Sequence, residues 1–147
     1  MDKKKAIETL NGILELELAG VVRYTHYSLM IFGHARIPIV SWMRKEASEA
    51  LTHAAAAGEL ITAFGGHPSL KIGKLLETQR HDIDDILHEA IEHEKAGVEL
   101  YRELLQLSQD KDIRLEEYAR EMVRLEEDHL SEIEKMLRRP GVLKPAG

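Results

Sequence analysis

The sequence contains no cysteine, which excludes a disulfide framework, a thiolate metal site and a thiol nucleophile. No apolar run approaches the roughly 18 to 20 residues of a membrane span. The lysine-rich N-terminus also lacks the apolar core of a signal peptide. Basic residues number 20 against 26 acidic ones, and the net charge of −6 disfavours nucleic acid as a partner. We therefore expect a cytoplasmic protein without a membrane or nucleic-acid partner.

Glycine and proline are also few, and helical periodicity takes their place. Apolar residues recur every three or four positions in four segments, which predicts helices over about residues 2–32, 38–64, 74–109 and 112–138, the third starting at Lys74 or Thr78. The chain of 147 residues suits one domain. We expect an all-α four-helix bundle over residues 1–138 and an irregular tail over 139–147, too short for a fifth helix.

Polar residues interrupt the inward stripe of every predicted helix. They are Glu17 on the first, Glu46 and His53 on the second, Glu94 on the third, and Glu126 with His129 on the fourth. A lone histidine of this kind is more often a hydrogen-bonded core residue, and a lone glutamate often pairs with arginine. Several at matching levels favour a shared site instead, because two divalent cations would neutralise the repulsion among buried carboxylates. Oxygen-rich ligands with imidazole and no sulfur favour iron or manganese over structural zinc.

The two halves of the chain repeat one another. Tyr24 follows Glu17 by seven residues, as Tyr101 follows Glu94; a histidine, His53 or His129, follows each glutamate after 36 or 35 residues. This spacing indicates a duplicated helical hairpin. A connection of about a dozen residues after the second helix is long enough to be a crossover, and two hairpins joined by a crossover form a four-helix bundle.

The duplicates differ at one position. Glu126 precedes His129 by three residues, whereas Ala50 stands three residues before His53. Glu49 lies one residue nearer the N-terminus, and its long side chain reaches the same space. Glu46 lies about 10 Å along the helix axis from His53, better placed for a second ion or an entry path. We favour Glu49 as the substitute ligand, against a centre with weak or single-metal occupancy.

Several segments together resemble the motifs of bacterioferritins, within the ferritin-like superfamily that also holds rubrerythrins. The resemblance spans about residues 5–137 and is carried by Leu10-Asn11, Glu17 through Tyr24, His53-Ala54 with residues 64–70, Glu94 with residues 101–103, and Glu126 through His129. It implies a ferritin-like bundle and a ferroxidase centre of two iron ions, with manganese as the alternative, where Fe(II) is oxidised by oxygen or peroxide for iron storage or detoxification.

The resemblance also implies a role for each site residue. Glu17 and Glu94 would be terminal carboxylates, His53 and His129 would each bind one metal, and Glu126 would bridge the two. Tyr24 resembles a family residue that hydrogen-bonds a ligand carboxylate, and a phenol beside a redox metal can donate an electron; a tyrosine at a core edge is the ordinary alternative.

The sequence departs from the bacterioferritin pattern in ways that change the expected cofactor and oligomer and leave alternative functions. Leu51 stands where the family has its haem-ligand methionine, so we expect no haem. The resemblance implies the family's large hollow cage, but the sequence leaves no room for a fifth helix; we therefore expect a homo-oligomer that is a dimer or larger. Alternative functions are a rubrerythrin-like peroxidase lacking a rubredoxin domain and a ferritin-like scaffold with a degenerate metal centre. We expect His26, His81 and His93 among the mostly surface-facing histidines, and Glu89 on an exposed acidic face.

Overall fold

The computed structural model describes residues 1–145, which form four long helices. They are α1 (Lys3–Met30), α2 (Arg36–Ala63), α3 (Ile83–Ser108) and α4 (Ile113–Leu137). Helix α1 packs against α2, α3 packs against α4, and α1 also packs against α3. The predicted all-α bundle of two hairpins joined by a crossover is therefore confirmed. Within residues 1–145 no helix follows α4; the last two residues of the predicted tail lie outside this range.

Aspartate is the N-cap residue of α1, α3 and α4. Asp2, Asp82 and Asp112 each accept a hydrogen bond from a backbone N–H of the first turn, which satisfies a donor that has no partner within the helix. Helix α2 lacks such a cap and instead carries Pro38 in its first turn, where the missing N–H costs nothing. The predicted start of α3 at Lys74 or Thr78 was wrong, because Asp82 caps the helix.

We call the connection between the hairpins, residues 64–82, the crossover. It is hydrogen-bonded to α1. Gly73 donates its N–H to the carbonyl of Glu15 at 2.8 Å, and Arg23 donates to the carbonyl of Lys74 at 3.0 Å. A Cβ added at Gly73 would lie 2.9 Å from that same Glu15 carbonyl oxygen, so only glycine allows this approach without a shift. The crossover is therefore held at a fixed position on the surface of α1.

Two apolar clusters fill the bundle. One contains Leu10, Leu14, Ala57, Leu104 and Leu115 among others, and the second contains Tyr27, Met43, Leu87 and Ile133 among others. On α1, α3 and α4 the two clusters are separated by about three turns, each with a buried glutamate: Glu17, Glu94 and Glu126. The core thus has a polar layer between two apolar ones. Among residues 1–145, none of the helices has the length and apolar character needed to cross a membrane.

Candidate metal centre

Side chains from all four helices meet in the polar layer around one small cavity. Its wall includes every metal ligand predicted from the sequence: Glu17, Glu49, His53, Glu94, Glu126 and His129. Tyr24, Glu46, Ala50 and His93 complete the lining. The inward stripes of four helices therefore converge at one level.

Glu126 lies at the centre of this layer and is only 3% exposed. Its Oε1 lies 3.6 Å from Nδ1 of His53, and its Oε2 lies 3.7 Å from Nδ1 of His129. Each carboxylate oxygen thus faces a different imidazole. The two rings stack nearly parallel with their centroids 6.5 Å apart. A carboxylate placed in this way between two imidazoles can bridge a pair of cations.

A second carboxylate stands beside His53. Oε2 of Glu17 lies 3.7 Å from the same Nδ1 that Glu126 faces. Glu17, His53 and Glu126 each offer a ligand atom, and these atoms lie within 4.8 Å of one another. The hydroxyl of Tyr101 on α3 donates to Oε1 of Glu17 at 2.9 Å, which leaves Oε2 free to face the histidine.

The duplicated half repeats this pattern with one addition. Glu94, Glu126 and His129 form a second group with ligand atoms within 4.8 Å, and the hydroxyl of Tyr24 on α1 donates to Glu94 at 2.6 Å. The two tyrosines therefore act across the hairpins. Tyr24 of the first hairpin holds Glu94 of the second, and Tyr101 of the second holds Glu17 of the first. Glu46 also approaches here, with Oε2 3.6 Å from Nδ1 of His129.

The two candidate substitutes for the carboxylate missing at Ala50 reach opposite nitrogens of one ring. Glu46 faces Nδ1 of His129, whereas Glu49 lies 3.4 Å from Nε2. Glu46 is one turn before Ala50 on the same face of α2 and is 7% exposed. Glu49 is more exposed, with 36% of its side chain accessible. Both glutamates thus contact the histidine of α4 rather than His53 on their own helix.

Burial and mutual repulsion control protonation in the layer. Burial raises the pKa of Glu17 and of Glu46, and burial together with the neighbouring Glu126 raises the pKa of Glu94 well above its usual value. Burial also acts to raise the pKa of Glu126, but hydrogen bonds from Glu94 and His129 outweigh it and lower the pKa. Of this pair, Glu94 is therefore the carboxyl whose protonated form is favoured without metal, and Glu126 is the one whose ionised form is favoured.

For the two histidines, burial acts to lower the pKa and the neighbouring carboxylates act to raise it. The neighbouring carboxylate of Glu126, reinforced by the charge of Glu46, raises the pKa of His129 to about 9. Burial acts to lower the pKa of His53, but Glu17 and Glu126 more than compensate and raise it. Protons on these groups partly neutralise the buried carboxylates. Divalent cations would take over that task, since a metal ligand must be deprotonated.

Two expectations about neighbouring residues were wrong. His93 was expected to face the surface, but it is 7% exposed and lies beside the site, and burial lowers its pKa to about 4. Gly20 makes room for it, since a Cβ there would lie 3.0 Å from Nε2 of His93. Glu89, expected on an exposed face, is 8% exposed and accepts a hydrogen bond from Thr78 of the crossover. The available signal for a second buried stripe was the small or apolar residues at positions 86, 90 and 97, which continue the spacing of three and four through His93.

The donor set fits a pair of divalent cations. Each histidine presents Nδ1 toward Glu126 and has at least one further carboxylate near it, and the buried surplus of acid needs positive charge. Carboxylate oxygen with imidazole and no sulfur suits iron or manganese. Among residues 1–145 this layer contains three of the four clusters of histidine and carboxylate that could hold an ion.

Comparison with known proteins identifies the same fold as the helix arrangement described above. A sequence profile of the ferritin-like domain matches residues 7–140. A search of curated proteins finds no match. Among solved structures, a ferritin-like diiron-carboxylate protein from Bacillus anthracis superposes with a TM-score of 0.88 at 23% identity, over 94% of this chain and 99% of that one.

Two further structures have the same fold. A dodecameric thioferritin of Bacteroides fragilis, described as bacterioferritin-related, gives a TM-score of 0.85 at 21% identity, over 93% of this chain and 86% of that chain. The Rhodobacter capsulatus bacterioferritin, with a metal-free dinuclear site and haem iron, gives 0.81 at 23% identity, over 91% and 84%. At these identities the structural likeness establishes the fold alone.

Proposed function

The chain belongs to the ferritin-like family, and from that premise we propose that it binds two iron ions in the polar layer and oxidises Fe(II) for iron storage or detoxification. The observation that carries this proposal is the position of Glu126, with one carboxylate oxygen toward each of two histidines. Manganese is the alternative metal, because the same oxygen and imidazole donors suit it.

We assign the ligands from the nitrogen that each carboxylate faces. Glu17 and His53 would hold one ion, Glu94 and His129 the other, and Glu126 both. Glu46 joins the second ion because it faces Nδ1 of His129, the same nitrogen that faces Glu126.

Glu49 has a different role in this assignment, because one imidazole ring cannot direct both of its nitrogens at a single ion. With Nδ1 bound to the metal, Nε2 would carry the proton and direct its N–H toward the carboxylate of Glu49, 3.4 Å away. A carboxylate on the far nitrogen orients the ring and strengthens it as a ligand. Glu46 would then be the ligand that compensates for Ala50, and Glu49 would orient the ring of His129.

Bound iron would supply the electrons passed to oxygen or peroxide, while the protein controls position and charge. Tyr24 holds the orientation of Glu94 through its 2.6 Å hydrogen bond, and its phenol would be an electron donor beside a redox metal held by Glu94. Four buried carboxylates favour the higher charge of the oxidised metal pair, since they concentrate negative charge in a layer with little water.

We also propose that the chain forms a homo-oligomer. Large apolar side chains lie exposed near one end of the first hairpin, with Phe32 70% and Ile37 83% accessible. On the outer face of α2, Leu51 is 55% accessible. Exposed apolar surface of this kind is typical of interfaces. The mass of the protein in solution would give the number of copies.

The proposed activity is tested by adding Fe(II) to metal-free protein in the presence of oxygen, in steps up to two ions per chain. Formation of Fe(III) and consumption of oxygen are followed together, and the titration is repeated with peroxide. We expect a break at two Fe(II) per chain. The variant Glu126→Gln removes the bridging charge, and the matched control Asp128→Asn removes an exposed acid two residues away.

Each outcome decides between the candidates. Rapid oxidation in the wild type and in Asp128→Asn, with slow oxidation in Glu126→Gln, supports the ferroxidase. Turnover with peroxide but no accumulated mineral indicates the rubrerythrin-like peroxidase instead. Oxidation no faster than in buffer, with well under one metal per chain, indicates a scaffold with a degenerate centre.

A further inference from the structure

A second group of metal-binding side chains lies outside the polar layer, where the crossover meets α1. His26 on α1, Glu77 in the crossover and His81 just before α3 each offer a ligand atom, and these atoms lie within 4.8 Å of one another. Of the candidate clusters in residues 1–145, this one shares no residue with the metal centre. All three side chains are partly accessible to solvent, between 29% and 44%.

Glu77 presents a single oxygen to both histidines. Its Oε2 lies 2.9 Å from Nε2 of His26 and 3.4 Å from Nε2 of His81. The other oxygen, Oε1, accepts the backbone N–H of Gln79 at 2.5 Å, and that hydrogen bond is the main cause of the lowered pKa of Glu77. The carboxylate is thus oriented by the backbone and kept ionised, as a metal ligand must be.

The histidines and the glutamate are brought together by structure that is already fixed. The crossover is pinned to α1 by the hydrogen bonds at Gly73 and Lys74, four and three residues before Glu77. Asp82, directly after His81, caps α3 and so fixes the place where the helix begins. The group therefore joins α1 to the C-terminal end of the crossover, a segment that is held by α1 on one side and by the start of α3 on the other.

From this geometry we propose that His26, Glu77 and His81 form a separate site for a divalent transition-metal ion. Two imidazoles and one carboxylate are a common protein ligand set for Zn²⁺, and the same set with open positions suits Fe²⁺. Water would complete the coordination sphere, because the site faces solvent. A bound ion would clamp the crossover onto α1. The alternative is that no metal binds and the two imidazoles only form hydrogen bonds with the carboxylate of Glu77.

The site does not rest on the proposed ferroxidase activity, and its test needs no activity. Zn²⁺ bound per chain is measured by equilibrium dialysis for the wild type and for His26→Ala combined with His81→Ala. The matched control combines His34→Ala with His88→Ala, two exposed histidines outside the cluster. We expect the cluster variant to bind one Zn²⁺ fewer than the wild type, and the control variant to bind the same number.

A conservative variant and a second readout make the test independent of folding. Glu77→Gln keeps the size of the side chain and should weaken binding of the additional Zn²⁺ by at least about tenfold. Zn²⁺ should also slow proteolytic cleavage within residues 64–82 of the wild type but not of Glu77→Gln. Equal Zn²⁺ stoichiometry in wild type and cluster variant, or equal loss in the control, would show that the three residues are only hydrogen-bonded.

Discussion

Replacing Glu46 or Glu49 by glutamine separates the two roles assigned around His129. Both substitutions keep the shape of the side chain and remove its charge. Glu46 faces the nitrogen that also faces Glu126, whereas Glu49 faces the opposite nitrogen. In Glu49→Gln the new amide oxygen would still accept a hydrogen bond from Nε2, but Glu46→Gln would remove a charged ligand. We therefore expect Glu46→Gln to weaken metal binding more.

The magnitude follows from what each carboxylate contacts. Loss of a residue that supports a ligand typically costs 10- to 100-fold in metal affinity. We expect about tenfold for Glu49→Gln and about 100-fold or more for Glu46→Gln. At a free Mn(II) concentration 100 times the wild-type dissociation constant, binding stabilises the fold by about 2.7 kcal/mol. The same concentration would stabilise Glu49→Gln by about 1.4 kcal/mol and Glu46→Gln by about 0.4 kcal/mol.

Thermal unfolding with and without Mn(II) measures these differences. For a chain of this size 1 kcal/mol corresponds to about 2 to 4 °C in Tm. The metal-induced rise should thus be about 5 to 11 °C for the wild type, and about 1 to 2 °C for Glu46→Gln. Without metal, Glu46→Gln should unfold no earlier than the wild type, because burial disfavours the charge that it removes.

The reverse order would refute this reasoning. If Glu49→Gln loses as much metal-induced stabilisation as Glu46→Gln, or more, then Glu49 is the ligand, as the sequence alone predicted. The crossover site is present in both variants, so any Mn(II) bound there affects both measurements alike.

Two further predictions concern protons and the tyrosine. Tyr24→Phe removes the hydrogen bond that lowers the pKa of Glu94, so Mn(II) uptake followed against pH should move to higher pH; an unchanged midpoint would mean that Glu94 does not titrate on binding. Metal-free protein should lose stability to urea between pH 6.5 and about 9, by at most about 3 kcal/mol, because the pKa of His129 is raised to about 9 and its stabilising proton is lost over that range. Metal-loaded protein should lack this decline, and an equal decline in both forms would contradict the assignment of His129 as a ligand.

The fold was predictable because its signals are local. Spacing of three and four predicts each helix, and the single glutamates within apolar stripes could be recognised as buried without knowing their partners. Glu17 and Glu94 were therefore identified from the sequence as members of one layer. The start of α3 was not predictable in this way, because Leu75 and Leu76 extend the apolar pattern into the crossover while its backbone is bonded to α1.

The contacts of Glu46 and His93 depend on how helices face one another. Glu46 is remote from His53 along α2, and only the position of α4 brings His129 beside it. His93 lies off the main stripe of α3, yet it is buried because Gly20 on α1 leaves space for the ring. A single-helix stripe describes one buried direction, and α3 has neighbours on more than one side.

The central claim is that Glu126 bridges two metal ions, and electron paramagnetic resonance of protein loaded with two Mn(II) per chain tests it most directly. Two ions that share a carboxylate are magnetically coupled, so we predict a coupled dinuclear spectrum that is lost in Glu126→Gln. Only the six-line signal of isolated Mn(II) in the wild type, at the same loading, would contradict the account.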